Sequence, residues 1–128
     1  MIVHTILYVK DQHKSSQFYS EVLKIKPQLD VPGMTEFHLS EKHILGIMPE
    51  KGIKELIGDQ LPDPKSANGI PRAELYFRVD NAEEYMLKSV ELGAKLLSSF
   101  QLRDWGQFAG YVLDLDGHVL AFAAENNH

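Results

Sequence analysis

His4-Thr5-Ile6-Leu7-Tyr8-Val9-Lys10-Asp11 opens the first half of the chain, and Glu74-Leu75-Tyr76-Phe77-Arg78-Val79-Asp80-Asn81 opens the second. Each is an alternating strand that runs into an acidic or amide residue suited to cap a helix. The helical stretches leave through related tetrapeptides, Leu23-Lys24-Ile25-Lys26 and Leu92-Gly93-Ala94-Lys95. Each half then closes on a hairpin, with His43-Ile44-Leu45-Gly46 matching His118-Val119-Leu120-Ala121. An internal repeat of this size decides the fold. The expected class is α+β, built from two βαβββ modules at about 1–48 and 71–125 with a connector over 49–70. Paired copies of one unit create a cleft lined by equivalent positions, here His4, Gly46, Glu74 and Ala121.

Within the first strand Val3, Thr5, Leu7 and Val9 share a face suited to packing on helices, and His4, Ile6, Tyr8 and Lys10 share a mixed face suited to a pocket wall. Asp11 is the expected N-cap of a helix through about Lys24, whose stripe Phe18, Tyr19, Val22 and Leu23 buries one face and which Pro27 stops. Three short strands follow between Leu29 and Met48, with Pro32-Gly33 and Ser40-Glu41-Lys42 as turns. The connector is polar, with a short helix around Ile53–Ile57, and Leu61-Pro62-Asp63-Pro64 resists regular structure. In the second half, Asn81 and Glu84 form a capping-box pattern, Gly93 supplies a left-handed stop, and strands are expected near 95–101, 108–115 and 118–124. Asp116-Gly117 is the strongest hairpin signal in the chain. The terminal Glu125-Asn126-Asn127-His128 reads as a frayed polar end.

The 128 residues fit one compact domain, and a net charge of −5 excludes a general nucleic-acid binder, which needs a basic stripe. There are no cysteines, hence no disulfide, thiolate ligand or cysteine nucleophile. No apolar run reaches membrane-spanning length and no leader precedes the first strand, so a cytoplasmic location is the default expectation, with no membrane partner. No phosphate-cradling glycine loop or nucleophile elbow is present.

The pattern His4-x-x-x-x-Val9-x-Asp11, then Ser16-x-Phe18-Tyr19-x-x-Val22-Leu23, then Trp105-Gly106 and Asp114-Leu115-Asp116-Gly117-His118, resembles the vicinal oxygen chelate superfamily of glyoxalase, bleomycin-resistance proteins and extradiol dioxygenases. Leu115 stands where that family's turn carries proline. The resemblance covers essentially the whole chain. It implies a mixed sheet curled around a cleft, a small-molecule ligand and a homodimer.

Metal-dependent members place ligands at the first and last strand of each module. By that resemblance His4 and Glu74 are candidate metal ligands and candidate catalytic residues, whereas Gly46 and Ala121 carry no ligand atom. His38 and Tyr111 are the side chains able to supply a third donor. A catalytic divalent centre ordinarily has at least three protein ligands, so the expectation is no cofactor or a weakly bound divalent metal. Small residues at Gly46 and Ala121 would also widen the cleft floor.

Tyr8, Tyr76, Trp105, His38 and Tyr111 are candidate cleft residues, and Arg78, with Arg72 and Arg103, is a candidate for an anionic substrate group. A paired Glu74–Arg78, a hydrogen-bonded core His4 and a core Trp105 are the competing structural readings; His13, His43 and His118 read as surface or exposed turn residues. Three functions stay open. One is a metal-free binder of an aromatic or anionic compound. The second is a metal-dependent lyase, isomerase or dioxygenase. The third is a metal-free enzyme using Glu74 as acid or base with His4 as its partner.

Overall fold

The computed structural model describes residues 1–125; the expected frayed end beyond Glu125 lies outside them. The chain divides into two compact units, Met1–Asn68 and Gly69–His128.

In the first unit the order is β1 (Val3–Val9), α1 (Gln12–Leu23), β2 (Leu29–Val31), β3 (Met34–Ser40), β4 (His43–Pro49) and α2 (Glu50–Ile57), followed by a 3-10 turn at Pro64–Ala67. The sheet order is β1-β4-β3-β2, with β1 parallel to β4 and the other pairs antiparallel. Leu7, Val9, Phe37, Leu45 and Ile47 are buried on one face together with Phe18, Tyr19 and Val22 of α1. That is the strand alternation and helix stripe read from the sequence, and burying such a face is what holds a short helix in place.

The second unit repeats the plan with β5 (Glu74–Arg78), α3 (Ala82–Glu91), β6 (Lys95–Leu102), β7 (Phe108–Leu113) and β8 (Val119–Ala124), in the order β5-β8-β7-β6. Phe77 and Tyr85 both stack on Phe122, at 5.5 and 6.0 Å between ring centroids. Gly110 marks the closest approach of α3 to the sheet: a Cβ there would overlap Met86 Sδ and come within 3.3 Å of the Phe100 backbone.

Several local expectations change. Asp11 does cap α1, accepting from Lys14 N at 3.0 Å. As expected the helix ends at about Lys24, its C-cap, which takes a left-handed conformation (φ 59°). Asn81 is itself left-handed (φ 57°) and its side chain caps nothing, so the capping box does not form. The short connector helix starts at Glu50, earlier than its apolar residues suggested, and Pro64 opens a turn that Asp63 caps. No helix among the described residues is long and apolar enough to cross a membrane.

Candidate functional site

The open face of the second sheet gathers the candidate residues of that half. Direct cross-strand partners project to the same side of a sheet. The register Tyr76↔Ala121↔Tyr111↔Ser98 therefore sets two tyrosines on either side of Ala121. Tyr76 and Tyr111 are two strand spacings apart, about 9.6 Å. Glu74 and Arg78 flank Tyr76 on β5, each about 6.6 Å along the strand.

The β6–β7 hairpin places the tryptophan. Gly106 N–H donates to the Arg103 carbonyl at 3.0 Å and Arg103 N–H to the Gln107 carbonyl at 2.8 Å. Gly106 sits at φ 91°. This is a tight turn closed by a left-handed residue, a position glycine takes without strain. It presents Trp105, which is 56% exposed and so not a core residue. Its Nε1–H donates to the Tyr76 hydroxyl at 2.9 Å, and that hydroxyl donates to Gln107 Oε1 at 2.6 Å. An exposed indole is thus tied at its one polar atom, with its ring left available.

The three arginines are engaged within this unit. Arg103 donates to the Ala109 carbonyl (3.0 Å), Ser98 Oγ (2.9 Å) and the Ser99 carbonyl (2.8 Å), and lies over the Tyr111 ring at 5.1 Å. Arg78 pairs with Glu125 at 3.4 Å rather than with Glu74. Arg72 donates to His118 Nε2 at 3.1 Å. Glu74 has no hydrogen bond or ion pair among the described residues, so a neutralising Glu74–Arg78 pair is absent. The Tyr111 hydroxyl is held above the ordinary tyrosine value of 10.0, first by burial and then by the Glu74 carboxylate and Tyr76, against a smaller opposing pull from Arg103.

His118 is buried, not an exposed turn residue. Its Nδ1 lies 3.0 Å from Asp114 Oδ2, with side chains 4% and 1% exposed. A guanidinium only donates, so Arg72 on Nε2 selects the tautomer with hydrogen on Nδ1, donated to Asp114. Asp114 Oδ1 also accepts from the backbone N–H groups of Asp116 and His118. This assembly fixes the Asp116-Gly117 turn and is structural. His43 is half-buried against Thr5 Oγ1 at 2.7 Å.

In the first unit, His4 Nδ1 lies 3.5 Å from Glu36 Oε2. Glu36 stands opposite Gly46 in the register, as does Ile6 from the other side. The sequence reading missed Glu36; its signal was parity, two residues before His38 on the same face of β3. It missed Gln107 as well, which only cross-strand placement pairs with Tyr76. His38 is exposed on the same face, opposite Ile44, and Tyr8 is half-buried, opposite Met48. The space beside Gly46 is filled. A Cβ at Gly46 would meet Ile6 Cγ1 and Met34 Sδ at 3.1 Å, so the expected widening is not found at that position; Ala121 is fully buried. A groove of about 760 Å³ lies along α1 and β2, where it is lined by Gln12, Ser16, Asp30 and Pro32 among others.

A family model described as a glyoxalase-like domain matches residues 2–125. The chain belongs to this family. Solved structures of similar fold include a glyoxalase-related enzyme from Fulvimarina pelagi, with TM-score 0.82 and 22% identity, covering 97% of this chain and 87% of that one. A glyoxalase/bleomycin resistance protein/dioxygenase family enzyme from Burkholderia phytofirmans PsJN gives TM-score 0.81 and 20% identity over 96% and 97%. A lactoylglutathione lyase from Agrobacterium tumefaciens gives 0.69 and 19% over 97% and 92%. No curated protein matches the chain. The glyoxalase-like assignment places the chain in the glyoxalase, bleomycin-resistance and dioxygenase superfamily, with its α+β fold.

Family membership raises a divalent metal, and the donor set does not fit one. Among the described residues no three His, Cys, Asp or Glu side chains gather at one place. Gly46 and Ala121 offer no donor, and Ile6 and Met34 close on the space where a side chain at Gly46 would begin.

Proposed function

We propose that this glyoxalase-like chain is a small-molecule-binding protein with an incomplete metal site. The observation that carries the reading is the Trp105–Tyr76–Gln107 chain, which ties an exposed indole to Tyr76, and Tyr76 shares its sheet face with Tyr111 and the unpaired Glu74 carboxylate. Exposed aromatic rings with one polar end secured, next to a few fixed polar groups, suit recognition of a planar organic ligand. Metal chemistry is left out of this reading, because two donors at the four family positions bind a divalent ion weakly. A homodimer in the cytoplasm is the working form proposed for it.

Trp105 is the sole tryptophan, so its fluorescence reports the site without ambiguity. A broad ligand screen should give saturable fluorescence changes accompanied by thermal stabilisation. A screen giving neither ends the proposal.

A second reading, a metal-free enzyme using Glu74 as an acid or base, is favoured by Glu74's lack of a neutralising partner and by its field at the Tyr111 hydroxyl. It differs from the first only in turnover. Loss of turnover in Glu74→Gln with ligand binding retained would bring it ahead.

A further inference from the structure

We infer that the ligand of this face is an aromatic organic cation. The inference rests on the binding reading above and deepens it by assigning the ligand's charge. The sequence suggests the opposite sign, because three arginines lie in or near the second sheet's strands and arginine is the usual receptor for anions. The structure commits those arginines elsewhere. Arg72 supports His118, Arg78 pairs with Glu125, and Arg103 has its Nε and Nη2 bound to two carbonyls and Ser98.

What remains on the face is acidic and aromatic. Glu74 carries no ion pair, and Asp104 is exposed next to Trp105 on the same hairpin. Tyr76, Tyr111 and Trp105 present rings whose faces attract cations. Arg103 already shows that preference, since its guanidinium lies on the Tyr111 ring. Arg103 keeps its positive charge beside Tyr111, because its partners there are neutral; of the other basic groups on this side, one is distant and one is ion-paired. Lys95 is three strands from Glu74, about 14 Å, and Arg78 is balanced by Glu125. At the Tyr111 hydroxyl the Glu74 carboxylate raises the ionisation value more than Arg103 lowers it. A carboxylate on the same face as two tyrosine rings gains most from a positively charged planar group, which meets the charge and a ring face together.

The test compares three probes of one size and three charges: 1-methylquinolinium, 1-methylnaphthalene and 1-naphthoate. Each is titrated into the full chain in chelator-containing buffer, so that no metal bridges ligand and protein. The readout is the single Trp105 indole N–H resonance in a proton–nitrogen correlation spectrum. The cation is expected to bind at least about fivefold more tightly than the neutral probe. In Glu74→Gln that preference should shrink to within about twofold, with the backbone amide pattern reporting an intact fold. If the neutral probe or the anion binds as tightly as the cation, the charge assignment is overturned and the binding reading stands. A preference unchanged in Glu74→Gln overturns the role given to Glu74. If none of the three moves the indole resonance at millimolar concentration, both the inference and the binding reading fail.

Discussion

Trp105, in the turn between β6 and β7, donates its indole N–H to the hydroxyl of Tyr76 on β5 at 2.9 Å, although the two residues are 29 positions apart. The hydroxyl passes its own hydrogen to Gln107. Tyr76→Phe therefore removes two bonds at once while keeping the ring. Both bonds are solvent-exposed, so the stability cost should stay below about 1.5 kcal/mol. The indole N–H resonance should move markedly, and affinity for site ligands should fall. An indole resonance left in place would show that the bond does not orient the ring.

Asp114 and His118 are the structural counterpart of that exposed pair. Asp114→Ala strands two buried backbone N–H groups and the His118 ring, and is expected to cost about 3 kcal/mol or more. His118→Ala should cost less, because the carboxylate keeps its two backbone donors. Urea unfolding of the two variants, with unchanged slope, checks the order.

Two glycines predict different responses to one added methyl group. At Gly46 the atoms in the way are Ile6 Cγ1 and Met34 Sδ, both able to shift, so Gly46→Ala should cost about 1 kcal/mol. At Gly110 the obstacles are Met86 Sδ and the Phe100 backbone, and backbone does not yield cheaply. Gly110→Ala should cost about 2–3 kcal/mol. Equal melting temperatures for the two would contradict the close packing of α3 on β7.

Tyr111 should ionise above the ordinary tyrosine value of 10.0. Because the folded-state value is raised, the stability it contributes is fully present below pH 10 and declines as pH rises from there through the folded value. Absorbance titration of tyrosinate should show one of the five tyrosines lagging the others. The lag should shrink in Glu74→Gln, since that carboxylate is the second cause of the shift after burial. A lag of the same size in the variant would remove Glu74 from the causes and leave burial and Tyr76.

Zinc, nickel, manganese and iron(II) should each leave thermal stability nearly unchanged at micromolar concentration, because weak ligands stabilise little until they exceed their dissociation constant. Stoichiometric metal in protein purified without chelator, lost in both His4→Ala and Glu74→Ala, would reveal a third donor. It would also bring the metal-dependent enzyme reading ahead.

Much of the architecture was legible because its signals are local. The alternation of Leu7 and Val9, the Asp11 cap and the Gly117 turn depend on neighbours within a few residues. The repeat doubled each signal. The misreadings lie where a short pattern has two outcomes. Asn81 could cap with its side chain or turn left-handed with its backbone, and it does the second.

The sequence by itself determined two βαβββ units, their strand faces and the absence of donors at Gly46 and Ala121, since periodicity and residue chemistry need no partner to be read. Only the tertiary structure decided which side chains meet. It buried His118 on Asp114, joined His4 to Glu36, and engaged Arg72, Arg78 and Arg103 away from Glu74. Those outcomes are set by cross-strand register, which brings together residues tens of positions apart and reverses every side chain's face with a one-residue slip.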